Sequence, residues 1–309
     1  METPFPEFEH YPDARAIDAL IADLWAQAEA TPCSAELLDP REIITPVTMA
    51  HMAGFGFVRF EPTGLDPFYG FWQPAAAQPA PLLIHTPGYG AEFQMHPDLV
   101  AQGYHVLHVN PLGYNTPEGP DTAKQKGGDW PVFADTIFEG FDTGYGPWLV
   151  DVMVAIRWAQ GLPSVLPDRV AFFGTSQGGG ASLLLGSIYR DHGARCVAAD
   201  EPWMVHFPQC CALEADWSAG LREAIAAFEE PSVHWRRLGM VDALSHAHRL
   251  KMPVLLTAGG ADRTCPPETI QTLYERLPAT KSITYLEARG HGYTQQFPYL
   301  AAAWFRMYL

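Results

Sequence analysis

A chain of 309 residues, 48% apolar and only 17% charged, has ample material for a large buried core and no signature of disorder. Its 19 basic residues against 35 acidic ones leave a net charge of −16, which repels phosphate backbones and anionic lipid, so neither nucleic acid nor membrane is expected as a partner. Five cysteines (Cys33, Cys196, Cys210, Cys211 and Cys265) at irregular spacings suit reduced thiols better than a disulfide framework, and no apolar run is long enough to span a bilayer.

The N-terminus carries Glu2, Glu7 and Glu9 with no basic patch and no apolar stretch behind it, so a signal peptide is not expected and the location is read as cytoplasmic. A first helix then follows Asp13 as its cap, with Ile17, Leu20, Ile21, Leu24, Trp25 and Ala28 at helical spacing and Thr31-Pro32 ending it. Residues 43–72 are rich in β-branched and aromatic types punctuated by glycine and proline, which predicts several short antiparallel strands. An Ala/Pro connection over 74–81 leads into a different rhythm. Short apolar runs at 82–85, 104–109, 170–173, 195–199, 254–258 and 282–286 alternate with helix-sized intervals, as buried parallel strands with crossover helices do. Two longer segments, 111–146 and 201–250, interrupt that alternation, and loops of such length in a compact domain are usually functional. One domain over residues 1–309 is expected, with 1–79 as an N-terminal helix and strands and 80–309 as the core.

The strongest local signal is Gly174-Thr175-Ser176-Gln177-Gly178. It follows the apolar run 170–173 and precedes Gly179-Gly180-Ala181-Ser182-Leu183-Leu184-Leu185. A G-x-S-x-G motif in a strand–turn–helix context lifts a serine hydroxyl above the strand end and sets it at the positive end of a helix. Serine needs a base. In α/β-hydrolases the partners follow in the order Ser, Asp or Glu, then His. Among twelve histidines, position selects His291, just beyond the last strand run. Asp262, directly after the run 254–258, is the expected acid, with Asp200 and Glu201 as rivals at the end of the preceding strand. Two N–H donors must meet the oxyanion. Gln177, after the nucleophile, is the first, and the turn Gly88-Tyr89-Gly90 nominates the Tyr89 backbone as the second.

The Gly174–Gly180 segment, Ala199-Asp200-Glu201-Pro202-Trp203, and residues 253–266 together resemble the acetyl xylan esterase / cephalosporin C deacetylase family. So does the helical stretch 223–250 with its Val241-Asp242-Ala243. The resemblance covers most of residues 80–309. It implies an α/β-hydrolase fold: a mostly parallel central sheet with helices on both faces, an N-terminal helix and antiparallel strands, and an inserted helical segment before the penultimate strand. It implies metal-free, cofactor-free hydrolysis of short-acyl esters of sugars or antibiotics, with Ser176, Asp262 and His291 as triad and Gln177 and Tyr89 at the oxyanion hole. A homo-oligomer is implied too, and exposed Trp and Tyr in 111–146 are expected at its interface. The chain departs from the family at Asn110-Pro111-Leu112-Gly113, where the family has Arg-Gly-Gln, and at His291-Gly292, where it has His-Glu.

Weaker signals add little. His246-x-His248 lacks a third ligand, so no metal is expected. Cys210-Cys211 is read as structural filler. Trp203, Phe207 and Trp217 are placed either in an acyl pocket or in the core. A serine carboxylic-ester hydrolase with a small-molecule ester substrate is therefore the expected function. A peptidase or amidase with the same triad, or a binding protein on a hydrolase scaffold, is the alternative.

Overall fold

The six apolar runs form the parallel half of a nine-stranded sheet. The computed structural model describes residues 5–38, 55–89, 94–109, 116–117 and 131–309. Its strands are β1 (Cys33–Leu37), β2 (Gly56–Pro62), β3 (Phe68–Gln73), β4 (Ala80–His85), β5 (His105–Val109), β6 (Val165–Thr175), β7 (Ala194–Asp200), β8 (Val254–Gly259) and β9 (Lys281–Leu286), in the spatial order β1-β2-β3-β5-β4-β6-β7-β8-β9. Strands β4 to β9 run parallel, while β1, β2 and β3 are antiparallel to their neighbours and β3 joins the parallel half by pairing with β5.

Eleven described helices accompany the sheet: α1 (Ala14–Ala30), α2 (Pro97–Ala101), α3 (Pro131–Phe138), α4 (Tyr145–Gln160), α5 (Gln177–Ile188), α6 (Phe207–Ala212), α7 (Leu221–Ala226), α8 (Pro231–Val241), α9 (Ala243–His246), α10 (Pro267–Arg276) and α11 (Gln296–Tyr308). None is long and apolar enough to cross a membrane. Alternate strand residues point to opposite faces. Leu82, Ile84, Phe172, Val197 and Leu256 pack under α1, α4, α5 and α10, whereas Leu83, Ala171, Phe173, Ala198 and Leu255 pack under α2 and α11. Burial on both faces is why these strands read as continuous apolar runs.

The first helix forms where its pattern places it, with the Asp13 carboxylate accepting the Ala16 N–H at 2.8 Å and Ile17, Ile21, Leu24 and Ala28 buried. Two strands depart from the sequence reading. Strand β1, Cys-Ser-Ala-Glu-Leu, alternates apolar and polar residues but is short and only weakly apolar; Cys33 and Ala35 pack on the core and the strand pairs along its length with β2. Strand β9 is half-exposed rather than buried on both faces, because it lies at the sheet edge. Of the stretch read as antiparallel strands, residues 43–54 lie outside the described residues.

The insert 201–250 folds as α6 to α9 around one buried carboxylate. Asp242 Oδ1 accepts the His206 and Leu244 N–H groups at 2.9 and 3.0 Å. Its Oδ2 accepts the Phe207 N–H at 3.0 Å and the Tyr11 hydroxyl at 2.9 Å. This carboxylate therefore joins the start and end of the insert to each other and to the N-terminal segment. Asp242→Ala strands three backbone donors and a phenol in the core, and should lower unfolding free energy by about 3 kcal/mol or more. Urea denaturation monitored by tryptophan fluorescence measures it. A midpoint equal to wild type would show that the insert is held by packing alone.

Candidate active site

Strand β6 ends at Thr175 and α5 begins at Gln177, leaving Ser176 between them at φ 59°, ψ −120°. A non-glycine residue at such a backbone position is strained and must be held there. Three backbone bonds hold it: the Ser176 N–H donates to the Asp200 carbonyl at 2.8 Å, and the Ser176 carbonyl accepts from Gly180 at 3.0 Å and Trp203 at 2.8 Å. The turn is also pressed from the β4 side. A Cβ at Gly174 or Gly178 would collide with the Thr86 carbonyl oxygen, so both positions require glycine. The Thr86 hydroxyl lies 2.9 Å from the Gly178 carbonyl and 3.0 Å from the Ser182 hydroxyl, locking this loop onto α5.

His291, in the loop between β9 and α11, places Nε2 2.9 Å from Ser176 Oγ. Its Nδ1 faces Asp262 Oδ2 at 2.8 Å. The remaining oxygen of Asp262, Oδ1, accepts the backbone N–H groups of Thr264 and Cys265, each at 2.8 Å. These bonds fix the carboxylate in one orientation and leave Oδ2 to the imidazole. Burial works to lower the His291 pKa, but the Asp262 hydrogen bond and the charges of Asp262, Glu201 and Asp200 outweigh it and raise the group above its ordinary value. The three residues expected from chain order thus form one hydrogen-bonded line with His291 in the middle.

The rivals for the acid sit elsewhere in the same web. Asp200 accepts the Thr175 hydroxyl at 2.8 Å and the Thr257 hydroxyl, and does not face the imidazole directly. Burial pushes it up to about 6 against those two bonds. Glu201, fully buried, accepts the Gly292 N–H at 2.9 Å and lies 3.6 Å from His291 Nδ1. Cys265, which sequence reasoning passed over, is buried beside Ser176, and burial drives its thiol well above the usual range. A neutral thiol is a weak nucleophile, so Ser176 with its base is the better one. The signal for Cys265 was its spacing: an aspartate accepting N–H bonds from two and three residues on. The donor atoms of Asp262, Cys265 and His291 lie within 4.8 Å of one another, a metal-sized cluster. Those of Asp262 and His291 are already taken up by the hydrogen-bonded line.

Gln177 is the first residue of α5, so its N–H has no acceptor within the helix and points with the other free donors of that terminus. Its side chain turns away, 3.4 Å from the Tyr145 hydroxyl. The loop carrying Tyr89 passes over the nucleophile: a Cβ on Gly88 would stand 3.7 Å from Ser176 Cβ and 3.1 Å from the Tyr293 hydroxyl. Gly90 of the expected turn, and the Asn110–Gly113 departure, fall outside the described residues.

The aromatic residues divide. Phe133, Trp203 and Trp217 are partly buried and meet edge to face, with Trp203 4.7 Å from Phe133 and 5.3 Å from Trp217. The Trp217 indole donates to the Thr264 carbonyl at 2.8 Å, which anchors this cluster beside the Asp262 turn. Phe207 has no exposed surface and backs the cluster from behind; it does not line open space. Tyr145 and Trp148 are buried within the chain's own core, so Tyr145 is not a ring available to an interface between copies. A cavity of about 920 Å³ between α2 and α11 is lined by His96, Tyr293 and Phe297 and reaches Thr175 and Asp200, but not Ser176, Asp262 or His291.

A serine at a strained strand–helix turn, on a mostly parallel sheet with helices on both faces, defines an α/β-hydrolase. Residues 58–308 match the family model described as acetyl xylan esterase, and the chain belongs to that family, which makes it a serine ester hydrolase. It is similar to acetyl xylan esterase 1 from Thermoanaerobacterium sp. JW/SL YS485, with 19% identity, 99% of this chain and 98% of that one covered, and a TM-score of 0.74. The acetyl xylan esterase from Paenibacillus sp. R4 is similar at 18% identity, 98% coverage of both chains and a TM-score of 0.76. The acylaminoacyl peptidase of Pyrococcus horikoshii shares only the fold, at 16% identity over 82% of this chain and 40% of that one, with a TM-score of 0.59.

Gly178→Ala tests the elbow's geometry. The added methyl meets backbone atoms of Thr86 and Pro87, which cannot rotate away. Ester hydrolysis should fall by at least about 10²-fold or the protein should fail to accumulate, because small displacements of reacting groups cost that much. Wild-type kcat in a folded variant would show that the close approach is dispensable.

Proposed function

We propose that this esterase removes short acyl groups, acetyl above all, from hydroxyls of sugars or comparable small molecules through a covalent acyl-enzyme. His291 Nε2 takes the proton from Ser176 Oγ as it attacks the ester carbonyl. The Gln177 and Tyr89 N–H groups receive the developing oxyanion. Asp262 holds the imidazole with Nδ1 protonated and stabilises the imidazolium, which then protonates the leaving alcohol. Water, deprotonated by the same imidazole, releases the acid. The observation that carries this reading is the unbroken line from Ser176 Oγ to His291 (2.9 Å) to Asp262 (2.8 Å) on the strained turn. Family membership supports the acetyl preference. A homo-oligomer belongs to the same reading through family membership, and a reducing compartment accords with five unpaired thiols.

Ser176→Ala and His291→Ala should each lower kcat on p-nitrophenyl acetate by on the order of 10⁴, and the double variant should be scarcely worse, since the two act as one unit. Additive losses, or a variant at wild-type rate, would remove the mechanism. The rings of Phe133, Trp203 and Trp217, anchored at the Asp262 turn and joined to Ser176 through the Trp203 backbone, shorten the space for an acyl tail. Each methylene that fits gains up to about 0.8 kcal/mol, and each that clashes costs about 1 kcal/mol or more. Across p-nitrophenyl esters, kcat/KM should therefore peak between acetyl and butyryl and drop at least about tenfold at octanoyl, a 1.4 kcal/mol difference. A maximum at octanoyl would mean an open groove.

A further inference from the structure

Glu201 follows the last residue of β7 and sits at a left-handed φ of 41°, unusual for a residue with a side chain. Its side chain is fully buried. Oε2 accepts the Gly292 N–H at 2.9 Å and stands 3.6 Å from His291 Nδ1, the nitrogen that faces Asp262 Oδ2 at 2.8 Å. Oε1 is buried with no hydrogen-bond partner. Gly259 at the end of β8 leaves the room: a Cβ there would be 2.8 Å from that oxygen. A carboxylate buried with one oxygen unpaired is costly, and holding a single N–H does not require one, since a glutamine carbonyl would do it without the charge. The groups facing Glu201 are Asp200 on its own strand, Asp262 and Cys265 from the turn after β8, and His291 from the loop after β9. Among these, the only positive charge that can form is the His291 imidazolium.

We propose that Glu201 is a second acid of the relay. It is a positioning residue that holds the His291–Gly292 loop and presents another carboxylate to Nδ1. This rests on the serine-esterase reading of the same site. The imidazolium is then shared between two carboxylates, and His291 keeps its Nδ1–H tautomer when Asp262 is neutralised. The geometry of the Asp262 turn sharpens the point. In Asp262→Asn the amide carbonyl must stay on the Thr264 and Cys265 N–H groups that Oδ1 now accepts, so the NH₂ faces Nδ1. With no other acceptor the wrong tautomer follows. Here Glu201 Oε2 needs to approach by only about 1 Å to reach hydrogen-bonding distance. Burial first, with the charges of Asp200 and Asp262, pushes Glu201 up to about 7 against the Gly292 bond, so it is increasingly ionised through the neutral range.

The test is a set of kcat/KM against pH profiles on p-nitrophenyl acetate for Glu201→Gln, Asp262→Asn and the double variant, with Ser176→Ala as floor. Activity needs neutral His291, so it rises with pH through the imidazolium pKa. Removing a nearby negative charge lowers that pKa and moves the acid limb to lower pH. Glu201→Gln should show that shift with about a tenfold loss of kcat, an outcome loop support alone would not produce. Asp262→Asn should lose about 10² in kcat, whereas an aspartate without a second carboxylate behind it is worth about 10⁴. The double variant should fall to the Ser176→Ala floor. An unmoved acid limb with wild-type kcat in Glu201→Gln, or Asp262→Asn already at the floor, overturns the proposal. Should thermal melts show that Glu201→Gln does not fold, Asp262→Asn decides alone. Wild-type activity in Ser176→Ala would instead overturn the serine reading itself.

Discussion

One buried carboxylate, Asp200, ties together the three strand ends on which the site is built. Its side chain accepts the Thr175 hydroxyl from β6 and the Thr257 hydroxyl from β8, and its carbonyl accepts the Ser176 N–H. Hydroxyl donors on both flanks make an otherwise costly burial acceptable. They also fix how far each strand projects. The nucleophile at the end of β6, Glu201 beyond β7 and the turn to Asp262 beyond β8 all take their positions from this clamp. Aspartate suits the role because its short side chain reaches both neighbours without leaving a free oxygen. Its proximity to the imidazole is electrostatic, and its hydrogen bonds belong to the sheet.

Against that clamp, the β4 loop presses from the other side. Thr86 closes onto the α5 terminus where Gly174 and Gly178 allow its carbonyl to enter. The elbow is therefore held from both directions, by β7 through Asp200 and by β4 through Thr86. Helix α5 can be buried along all 12 of its residues because four of them are glycines and none is charged. A helix that poor in propensity stands only because packing supplies what its sequence does not. Its free N–H groups are thereby set rigidly beneath the place where negative charge develops in ester cleavage.

Much of this was legible before any coordinates. Short continuous apolar runs separated by helix-sized intervals marked the parallel strands, and helical spacing of apolar residues marked α1. Chain order brings Ser176, Asp262 and His291 together because strand ends at one edge of a parallel sheet are neighbours in space. What was illegible depended on pairing or burial. Strand β1 is five residues long with only Cys33, Ala35 and Leu37 as its apolar side, too little to stand out without its partner β2. Phe207 and Tyr145 looked like available rings, and only packing against α3, α4 and the insert shows them enclosed. Glu201 was visible as one acid among several. Its burial, its orphan oxygen and its distance from Nδ1 follow from the bend after β7, which no local pattern announces.

The histidines show how environment separates one residue type into opposite roles. His85 and His108, both buried, share a 2.8 Å contact between ring nitrogens on β4 and β5, and the half-buried His96 packs edge to face on His85. Burial lowers all three, His108 to about 3 and His96 to about 4, with no carboxylate among the described residues acting against it. They stay neutral and act as packing and hydrogen-bonding surfaces. His291 also suffers burial, yet three carboxylates on neighbouring strand ends reverse the outcome. An imidazole can act as base only where its charged form is affordable for the lifetime of a transition state. The acidic groups gathered at the ends of β7 and β8 give that capacity to His291.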